Sequence, residues 1–395
     1  MRALTRFARD LTFYAADALV GMFATPTGST RQVLLVRVDA IGDFVLWLAA
    51  AREFRSLYPD QRITLCVNAA VYDLAKALPY WDDIVTVDAK RFSRNLVYRL
   101  KLLLLLRKRN FDTVIHPTYS RVFLHGDSIV RASGARQRVG SVGDLTNTHP
   151  ILKKISDTWY TMLLPVNPVP MMELERNAEF MRICSGRPFA TQLPVLPKLE
   201  DLPQALSVQS PYFVIFPGAS WSGRRWPTSK FAQVAAALHK ANGWTPVLCG
   251  SYGDRLTCQQ VIDECGVSSA INLSGLTDLP GLTEVLRSAT LLVSNETSAV
   301  HLSVAVSTLT VCILGGGHYG RFMPYPFAIS EGKSVAADYK MPCFHCNWHC
   351  TEPHSAGGPV PCISNVTVAS VLERIQAISP FGGRHTAAFN CAPAK

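Results

Sequence analysis

The sequence predicts an α/β protein built from two doubly wound parallel sheets. Short apolar segments rich in β-branched residues alternate with longer helical segments along the chain. Several of these apolar segments end in a polar or glycine-containing turn, as parallel strands do where they lead into the following helix. The length of 395 residues exceeds one typical core and therefore indicates two domains.

We expect an amphipathic amino-terminal extension over residues 1–30, a first domain over residues 31–195 and a second domain over residues 205–380. In the extension, apolar residues recur at helical spacing: Leu4, Phe7, Leu11, Tyr14, Ala18 and Met22. Three basic residues lie off that stripe: Arg2, Arg6 and Arg9. Such a helix either lies on an anionic membrane surface or packs on the body of the protein. A linker is predicted at Thr25–Thr30.

The first domain opens with a predicted strand, Val33–Val38, and a helix, Phe44–Leu57. Further strands are predicted at Ile63–Val67, Ile84–Val87 and Thr113–His116, and a basic helix at about Ser93–Arg109. Asp43 is expected at the carboxyl edge of this sheet, facing the second domain across a cleft. Its carboxylate either takes a proton from an attacking hydroxyl or caps the helix. No G-x-G-x-x-G follows the first strand, which argues against a nicotinamide or flavin site there.

The second domain is preceded by a helix predicted at Met172–Cys184 and by a linker that Pro194, Pro197 and Pro203 mark. Its strands are predicted at Tyr212–Phe216, Pro246–Cys249, Leu291–Val293 and Leu309–Leu314. Its helices are predicted at Ser229–Lys240, Leu279–Ser288 and Ala299–Val306. This order of elements again predicts a parallel sheet.

The polar turn that begins at Ser294 is the feature on which the functional interpretation depends. It joins a buried strand to a helix, and the backbone N–H groups and positive dipole end at Thr297–Ala299 favour an anion such as a pyrophosphate. Because a carboxylate would repel that phosphate, Glu296 is better suited to accept hydrogen bonds from sugar hydroxyls. The alternative is that Glu296, Thr297 and Ser298 only cap a core helix.

Four more side chains are candidates for the same ligand. Arg224 and Arg225 follow the first strand of the second domain and either neutralise a diphosphate or form a solvated basic turn. Asp254 follows a strand and a glycine turn, and either binds ribose hydroxyls or caps a helix. His301 lies one turn into the helix and is either a ligand contact or a core histidine bonded to a carbonyl.

Composition restricts the class of protein and of partner. The net charge of +10 implies an acidic partner such as nucleic acid, anionic lipid or a phosphorylated substrate. Nucleic acid is not expected, because aromatic and basic residues are not interleaved as in proteins that stack bases. The 11 cysteines, several of them inside apolar strands, are typical of a cytosolic protein with reduced thiols. No apolar run approaches the roughly 20 residues of a membrane-spanning helix.

Cysteines near the carboxyl end follow the spacing C-x2-C-x3-C-x11-C: Cys343, Cys346, Cys350 and Cys362. This spacing is compatible with a small structural zinc site. Because no zinc-ribbon pattern surrounds it, we interpret the four residues as reduced or occasionally paired thiols, and assign neither a metal nor a cofactor.

The chain after residue 30 resembles glycosyltransferase family 9, the heptosyltransferases of lipopolysaccharide core assembly. Four segments carry the resemblance: VLLVRVDAIGDFVLWLAAAREFRSLYPDQRITLCV, SGARQRVG, FPGASWSGRRWPTSKFAQVAAAL and LSGLTDLPGLTEVLRSATLLVSNETSAVHLSVAV. Their order and spacing are more specific than any one segment. The resemblance implies the GT-B architecture, in which two Rossmann-like domains face each other and the second holds most of the donor. It also implies an inverting transfer without a metal.

The resemblance also implies roles for individual residues. Asp43 takes the position of the general base, and the positions implied for donor binding are Gly218, Ser220, Arg224, Arg225, Asp254, Glu296, Thr297, Ser298 and His301. Four positions depart from the family pattern. Arg224 replaces a lysine that contacts the donor phosphates, and Glu296 and Ser298 replace the aspartate and glycine of the Asp-Thr-Gly motif. His116 replaces an acidic residue.

The expected activity is transfer of a sugar, heptose first among candidates, from a nucleotide-diphosphate donor similar to ADP-heptose onto a phosphorylated glycolipid acceptor. The expected location is the cytoplasm, at the inner face of the membrane, where basic residues would steer the protein to anionic lipid. Two other classes remain open: a nucleotide-sugar epimerase of the same architecture, and a non-catalytic protein that binds sugar nucleotides or acts as a membrane scaffold.

Overall fold

The computed structural model describes residues 2–22, 31–199, 201, 208 and 211–378, with side chains from Arg9 onward. The predicted linker Thr25–Thr30 and Pro203 lie outside the described residues. The chain divides into two compact units. Unit 1 contains Met1–Val169 and Leu174–Thr191, and unit 2 contains Pro170–Glu173 and Gln192–Lys395.

Unit 1 is built around a six-stranded parallel sheet in the order β3-β2-β1-β4-β5-β6. Its strands are β1 (Gln32–Arg37), β2 (Arg62–Asn68), β3 (Asp83–Val87), β4 (Thr113–His116), β5 (Gln137–Ser141) and β6 (Met162–Leu164). Its helices are α1 (Arg2–Met22), α2 (Ile41–Leu57), α3 (Tyr72–Lys76), α4 (Ala89–Phe92), α5 (Leu96–Lys108), α6 (Gly126–Ser133) and α7 (Pro150–Asp157). Helix α8 (Glu173–Ser185) follows β6. The strand order reverses between β1 and β4, which pair directly, and such a reversal opens a ligand crevice at the carboxyl ends of the strands.

Unit 2 contains a second six-stranded parallel sheet in the order β12-β11-β10-β7-β8-β9. Its strands are β7 (Tyr212–Phe216), β8 (Thr245–Leu248), β9 (Ile271–Asn272), β10 (Leu291–Asn295), β11 (Leu309–Leu314) and β12 (Ser334–Asp338). Its helices are α9 (Thr228–Asn242), α10 (Arg255–Cys265), α11 (Leu279–Ser288), α12 (Ser298–Ala305), α13 (Phe327–Ser330), α14 (Pro361–Ser364) and α15 (Val368–Ile378). Here the order reverses between β7 and β10. The predicted α/β class with parallel sheets is confirmed, and both sheets have the same topology.

The central strands of both sheets are buried on both faces, as the apolar runs predicted. Val33, Leu34, Leu35 and Val36 of β1 are fully buried, and β10 is buried along its whole length. Parallel strands covered by helices on two faces lack the polar alternation of half-exposed strands. These cores hold the carboxyl ends of β1, β4, β7 and β10 in place, where the candidate residues lie.

The predicted basic helix at about Ser93–Arg109 is observed as α5, and the short helix α4 lies just before the predicted range. Helix α5 starts later than predicted because the Asn95 side chain accepts a hydrogen bond from Tyr98 N at 2.9 Å and caps it. Asp88 caps α4 in the same way, accepting from Arg91 N at 2.9 Å. Asn and Asp stabilise helix starts better than helix interiors, so two caps define two helices.

The amino-terminal helix α1 packs on unit 1, with a buried face that differs from the predicted stripe. Its buried residues among those described are Phe13, Ala16, Asp17 and Val20, whereas Leu11 and Met22 are 57% and 79% exposed. The predicted stripe missed this face because it excluded Asp17. That aspartate is buried as the partner of Arg99 in α5, at 2.6 and 2.5 Å. No helix in the described part of the chain is both long and apolar enough to cross a bilayer.

Candidate functional site

The candidate donor site lies in unit 2, where the loops after β7 and β10 meet at the reversal of strand order. Asn295, the last residue of β10, joins the two loops. Its Nδ2 donates to the Pro217 carbonyl at 2.7 Å, and its Oδ1 accepts a hydrogen bond from Trp226 N at 3.0 Å. Asn295 was not singled out from the sequence, although a fully buried amide at the end of an apolar strand is a signal that it bonds to neighbouring loops.

Helix α12 begins at this junction without side-chain capping. Thr297 occupies the N-cap position, but its side chain makes no capping hydrogen bond. Its Oγ1 instead lies 3.3 Å from Ser294 Oγ. Thr297 therefore occupies the N-cap without capping the helix through its side chain. The first turn of α12 keeps the positive dipole end that favours an anion.

Glu296 and Arg224 form a buried ion pair beside that helix end. The Glu296 side chain is 4% exposed, and its Oε2 lies 3.2 Å from Arg224 Nη2. Arg224 also donates to the Glu296 backbone carbonyl. Burial raises the pKa of Glu296 above its ordinary value, while the charge of Arg224 opposes the increase. Among the described residues, Glu296 Oε2 and Arg224 Nε lack hydrogen-bond partners despite their burial. Both atoms can therefore still form a hydrogen bond with a polar ligand, although Oε2 also faces Arg224 in the ion pair.

Trp348 also contacts Arg224 and was not predicted as part of the site. The Arg224 guanidinium carbon lies 5.1 Å from the centre of the Trp348 ring, within the range of a cation–π contact. Trp221 packs edge-on against the same indole at 5.9 Å. The sequence gives no local signal for this contact, because Trp348 lies far from Arg224 in the chain.

The glycine loop after β11 explains how Trp348 reaches Arg224. A Cβ on Gly317 would lie 2.2 Å from the Trp348 ring, and a Cβ on Gly316 would lie 2.2 Å from Phe344. Both glycines thus allow the 341–350 segment to lie directly on the end of β11. The segment follows a tight path, since Asn347 and Trp348 both have positive φ.

Asp254 and Arg225 lie on the β8 side of the same edge. Asp254 Oδ2 accepts hydrogen bonds from Ser251 N at 3.0 Å and Ser251 Oγ at 2.6 Å. Asp254 therefore makes the helix-capping contacts that one of its two interpretations predicted. Arg225 approaches the other carboxylate oxygen at 3.8 Å. A Cβ on Gly218 would lie 2.6 Å from the Asp254 carboxyl carbon, so the glycine allows close packing here. Ser220 is exposed in the adjoining loop.

His301 is a buried histidine in the interior of α12. Its Nδ1 lies 2.8 Å from the Tyr325 hydroxyl, rather than bonding to a carbonyl as the core alternative supposed. Burial and, secondarily, the charge of Arg224 lower the pKa of His301 to about 3. The imidazole is therefore neutral at physiological pH and adds no positive charge to the site.

In unit 1, Asp43 lies in the first turn of α2. The N-cap residue is Ala40, so the alternative in which Asp43 is the N-cap residue is wrong. Beneath the turn, the buried Arg37 donates to the Asp43 carbonyl at 3.0 Å and lies 3.1 Å from Asp39. Asp39 in turn accepts a hydrogen bond from Thr118 Oγ1 at 2.7 Å. These contacts fix the turn at the reversal of the first sheet and leave the Asp43 side chain half-buried.

His116, at the end of β4, belongs to a buried polar network. Its Nδ1 lies 2.8 Å from the Tyr160 hydroxyl, which donates to Asp127 at 2.6 Å. Burial would raise the pKa of Asp127, but the hydrogen bond and charge of His116 and the charge of Arg121 lower it below its ordinary value. The acid that the family pattern puts at position 116 is absent, and Asp127 contributes a carboxylate to the same network.

The four carboxyl-terminal cysteines are free thiols: Cys343, Cys346, Cys350 and Cys362. Cys362 Sγ accepts a hydrogen bond from Gly316 N at 3.4 Å, which ties α14 to the glycine loop. In the part of the chain that the structure describes, no three or more His, Cys, Asp or Glu side chains are arranged to hold a metal ion.

Comparison with known proteins relates the chain to one family of enzymes. Residues 172–352 match glycosyltransferase family 9 (heptosyltransferase). The chain is 24% identical to lipopolysaccharide heptosyltransferase 3 of Escherichia coli K12 over 314 residues, which cover 77% of this chain and 88% of that protein.

Two solved structures share the fold. E. coli ADP-heptose lps heptosyltransferase II has a TM-score of 0.65 at 18% identity, covering 88% of this chain and 98% of that one. E. coli heptosyltransferase WaaC with ADP-2-deoxy-2-fluoro heptose also has a TM-score of 0.65, at 16% identity, covering 88% and 100%. The fold is accordingly GT-B-like. Residues 172–352 match the model of glycosyltransferase family 9, and the chain is a distant homologue of the lipopolysaccharide heptosyltransferases.

Proposed function

We propose that this enzyme transfers a heptose or similar sugar, with inversion, from a nucleoside-diphosphate donor onto a phosphorylated lipid-linked acceptor. The donor would bind in the domain at residues 205–380 and the acceptor in the domain at residues 31–195. The observation that carries the proposal is the buried Glu296–Arg224 pair beside the uncapped start of α12. The two related structures are an ADP-heptose lps heptosyltransferase and a heptosyltransferase with ADP-2-deoxy-2-fluoro heptose, which supports the donor class.

Each group at this edge suits one part of such a donor. The guanidinium of Arg224 and the start of α12 would receive the diphosphate as it departs with its negative charge. The Oε2 of Glu296, which is ion-paired with Arg224 but accepts no hydrogen bond, would accept a hydrogen bond from a sugar hydroxyl. Asp254, held by Ser251, would bind the ribose. Stabilisation of the departing charge is the larger catalytic contribution in this scheme.

Asp43 would act as the general base. Its carboxylate would take the proton from the acceptor hydroxyl as the hydroxyl oxygen attacks the anomeric carbon and the bond to the diphosphate breaks. The support is its position at the reversal of the first sheet, in a turn held by Arg37. The net charge of +10 favours a phosphorylated acceptor at an anionic membrane surface, with the protein peripheral on its cytoplasmic side.

Replacing the proposed base tests the mechanism. We expect Asp43→Asn to lower kcat by about 10²- to 10⁴-fold, the usual contribution of a general base, while the Kd for donor stays nearly constant. Single-turnover transfer and calorimetric titration with the donor measure the two quantities. The matched control is Asp60→Asn, the same change at an exposed position in unit 1. Full turnover by Asp43→Asn would remove Asp43 from the mechanism.

Replacing Arg224 tests the donor site. We expect Arg224→Ala to weaken donor binding far more than acceptor binding, by about tenfold to a hundredfold, because a charged hydrogen bond contributes about 1.5–3 kcal/mol. Arg224→Lys should recover part of the loss, and Arg255→Ala provides an exposed control in unit 2. Equal losses for both substrates would contradict the assignment.

Incubating the donor without acceptor addresses the epimerase alternative. A transferase leaves the free sugar nucleotide unchanged apart from slow hydrolysis, whereas rapid interconversion of sugar epimers would contradict transfer as the main activity. A protein that binds the donor but transfers nothing to any phosphorylated glycolipid would match the non-catalytic alternative.

A further inference from the structure

A cavity of about 460 Å³ opens in unit 1, between α1, the loop before α6 and the helix α7. Its walls include Phe13, Tyr14, Phe123 and Ile155. The volume falls in the range of small-molecule sites, about 300–1,000 Å³. None of the proposed donor-binding residues or Asp43 lines this cavity, so the proposed reaction does not account for it.

Three polar residues in the wall are already bonded within the protein. Asn147 donates to the Ser120 carbonyl at 2.9 Å, and Thr148 Oγ1 donates to the Arg121 carbonyl at 2.8 Å. Ser93 Oγ donates to the Ala89 carbonyl at 2.9 Å. Since these groups are occupied, the surface offered to a ligand is mainly apolar. The cavity therefore suits a hydrocarbon chain better than a sugar or nucleotide.

The mouth of the cavity combines exposed apolar and basic side chains. Leu11, Val122 and Leu152 line it and are 57%, 37% and 38% exposed. Next to these wall residues, the sequence supplies the exposed cations Arg91, Arg94 and Lys154. Arg9 and Asp10 are also part of the wall and pair with each other at 2.7 Å, so the excess positive charge beside the mouth comes from Arg91, Arg94 and Lys154. Apolar groups next to such cations are the pattern of a surface that binds an anionic bilayer.

We propose that this cavity takes up a fatty acyl chain of an anionic bilayer phospholipid, whose headgroup pairs with the surrounding cations. This proposal rests on the part of the proposed function that places the protein at an anionic membrane surface. Its test does not depend on turnover, so donor binding and transfer can fail or succeed independently of it.

Trp159 provides an internal reporter for the test. Its ring packs behind the cavity wall, 5.1 Å from Phe123 and 6.2 Å from Tyr14 between ring centres. An acyl chain that carries bromine atoms quenches nearby indole fluorescence. We therefore expect phosphatidylglycerol vesicles with brominated chains to quench the protein's emission more than unbrominated vesicles do. Trp159→Phe should lose most of that difference.

Substitutions at the mouth separate acyl uptake from simple charge attraction. Leu152→Asp should abolish the bromine-dependent quenching and weaken co-sedimentation with phosphatidylglycerol vesicles by about tenfold, a difference of about 1.4 kcal/mol. Leu256→Asp makes the same change in charge at a residue of unit 2 that is 85% exposed, and should retain the quenching. Circular dichroism and donor binding confirm that each variant is folded.

Three results would overturn the proposal. The first is vesicle binding without bromine-dependent quenching, which indicates contact with headgroups alone. The second is the same bromine-dependent quenching in Trp159→Phe as in the unchanged protein, which would show that the acyl chain lies near another tryptophan. The third is equal loss of quenching in Leu152→Asp and Leu256→Asp, which indicates a non-specific effect of the added charge.

Discussion

At the scale of single residues, the candidate donor site depends on one buried charge pair. Glu296 and Arg224 lose most of their hydration, and a buried carboxylate is stable there only because Arg224 faces it. A buried ion pair is weak support for stability, since apolar residues often pack equally well in its place. Glu296 Oε2 and Arg224 Nε make no hydrogen bond within the protein, and a polar ligand that contacts both residues would supply one to each.

Trp348 is expected to orient Arg224 toward the donor. Trp348→Ala should raise the KM for donor by about two- to thirtyfold, since a cation–π contact contributes about 0.5–2 kcal/mol, with a smaller change in kcat. Trp348→Phe keeps an aromatic face and should recover part of the loss. Initial-rate measurements at varied donor concentration give both constants.

The control for this prediction is Phe327→Ala, which removes an aromatic side chain that is 77% exposed in the same unit. If Trp348→Ala changed the acceptor KM instead, Trp348 would not act through Arg224.

The residues of the site were predictable to different degrees. Arg224, Glu296 and Thr297 are recognisable because each follows a buried strand, so local sequence predicts their place at the sheet edge. The Asn295 bonds and the Trp348 contact join segments far apart in the chain, and no local pattern encodes such pairs. For Asp43, the helix start lies earlier than predicted, at Ile41, because Ala40 rather than an acid occupies the N-cap.

At the scale of secondary structure, α1 is attached to unit 1 by a buried charge pair. Arg99 bonds to both carboxylate oxygens of Asp17, donates to the Leu124 carbonyl at 2.9 Å, and lies over the Phe92 ring at 4.2 Å. The side chains of Arg99 and Asp17 are 0% and 1% exposed. Apolar periodicity alone misses such a helix face, because its central contact is ionic.

Breaking this pair should destabilise unit 1. Asp17→Asn leaves the Arg99 charge buried without its partner, and we expect a loss of about 3–5 kcal/mol in the free energy of unfolding. Chemical denaturation followed by tryptophan fluorescence measures the loss. Asp10→Asn breaks the exposed pair with Arg9 and should cost less than about 1 kcal/mol.

A double replacement, Asp17→Leu with Arg99→Met, should recover much of that stability by removing both charges. Equal effects of Asp17→Asn and Asp10→Asn would show that the buried pair contributes nothing special to the attachment of α1.

At the scale of the whole molecule, the excess of basic residues gives a prediction about salt. Binding to phosphatidylglycerol vesicles should weaken steeply as ionic strength rises from about 0.05 M to about 1 M, because the screening length falls from more than about 10 Å to about 3 Å. Co-sedimentation across this range measures the effect, and phosphatidylcholine vesicles are the uncharged control. Binding that is insensitive to salt would contradict the role assigned to the net charge of +10.

The fold was more predictable than the site. The predicted bounds of Thr113–His116, Tyr212–Phe216 and Leu309–Leu314 are those observed, since buried parallel strands are continuous apolar runs that end abruptly. Helices were less well delimited, as α4 and α5 show, because caps and not apolar spacing fix their ends. The sequence also could not give the order of strands within each sheet, which long-range pairing decides.

The shared strand order of the two sheets has a consequence for how such enzymes diversify. Each half has its own crevice, formed by its own pair of central strands, so mutations in the loops of one half leave the strand register of the other unchanged. If the acceptor binds unit 1 and the donor unit 2, as proposed above, a lineage can adapt to a new acceptor by remodelling the loops after β1 and β4 without changing the donor site. Evolution of substrate range in this fold then becomes a problem of altering one half at a time.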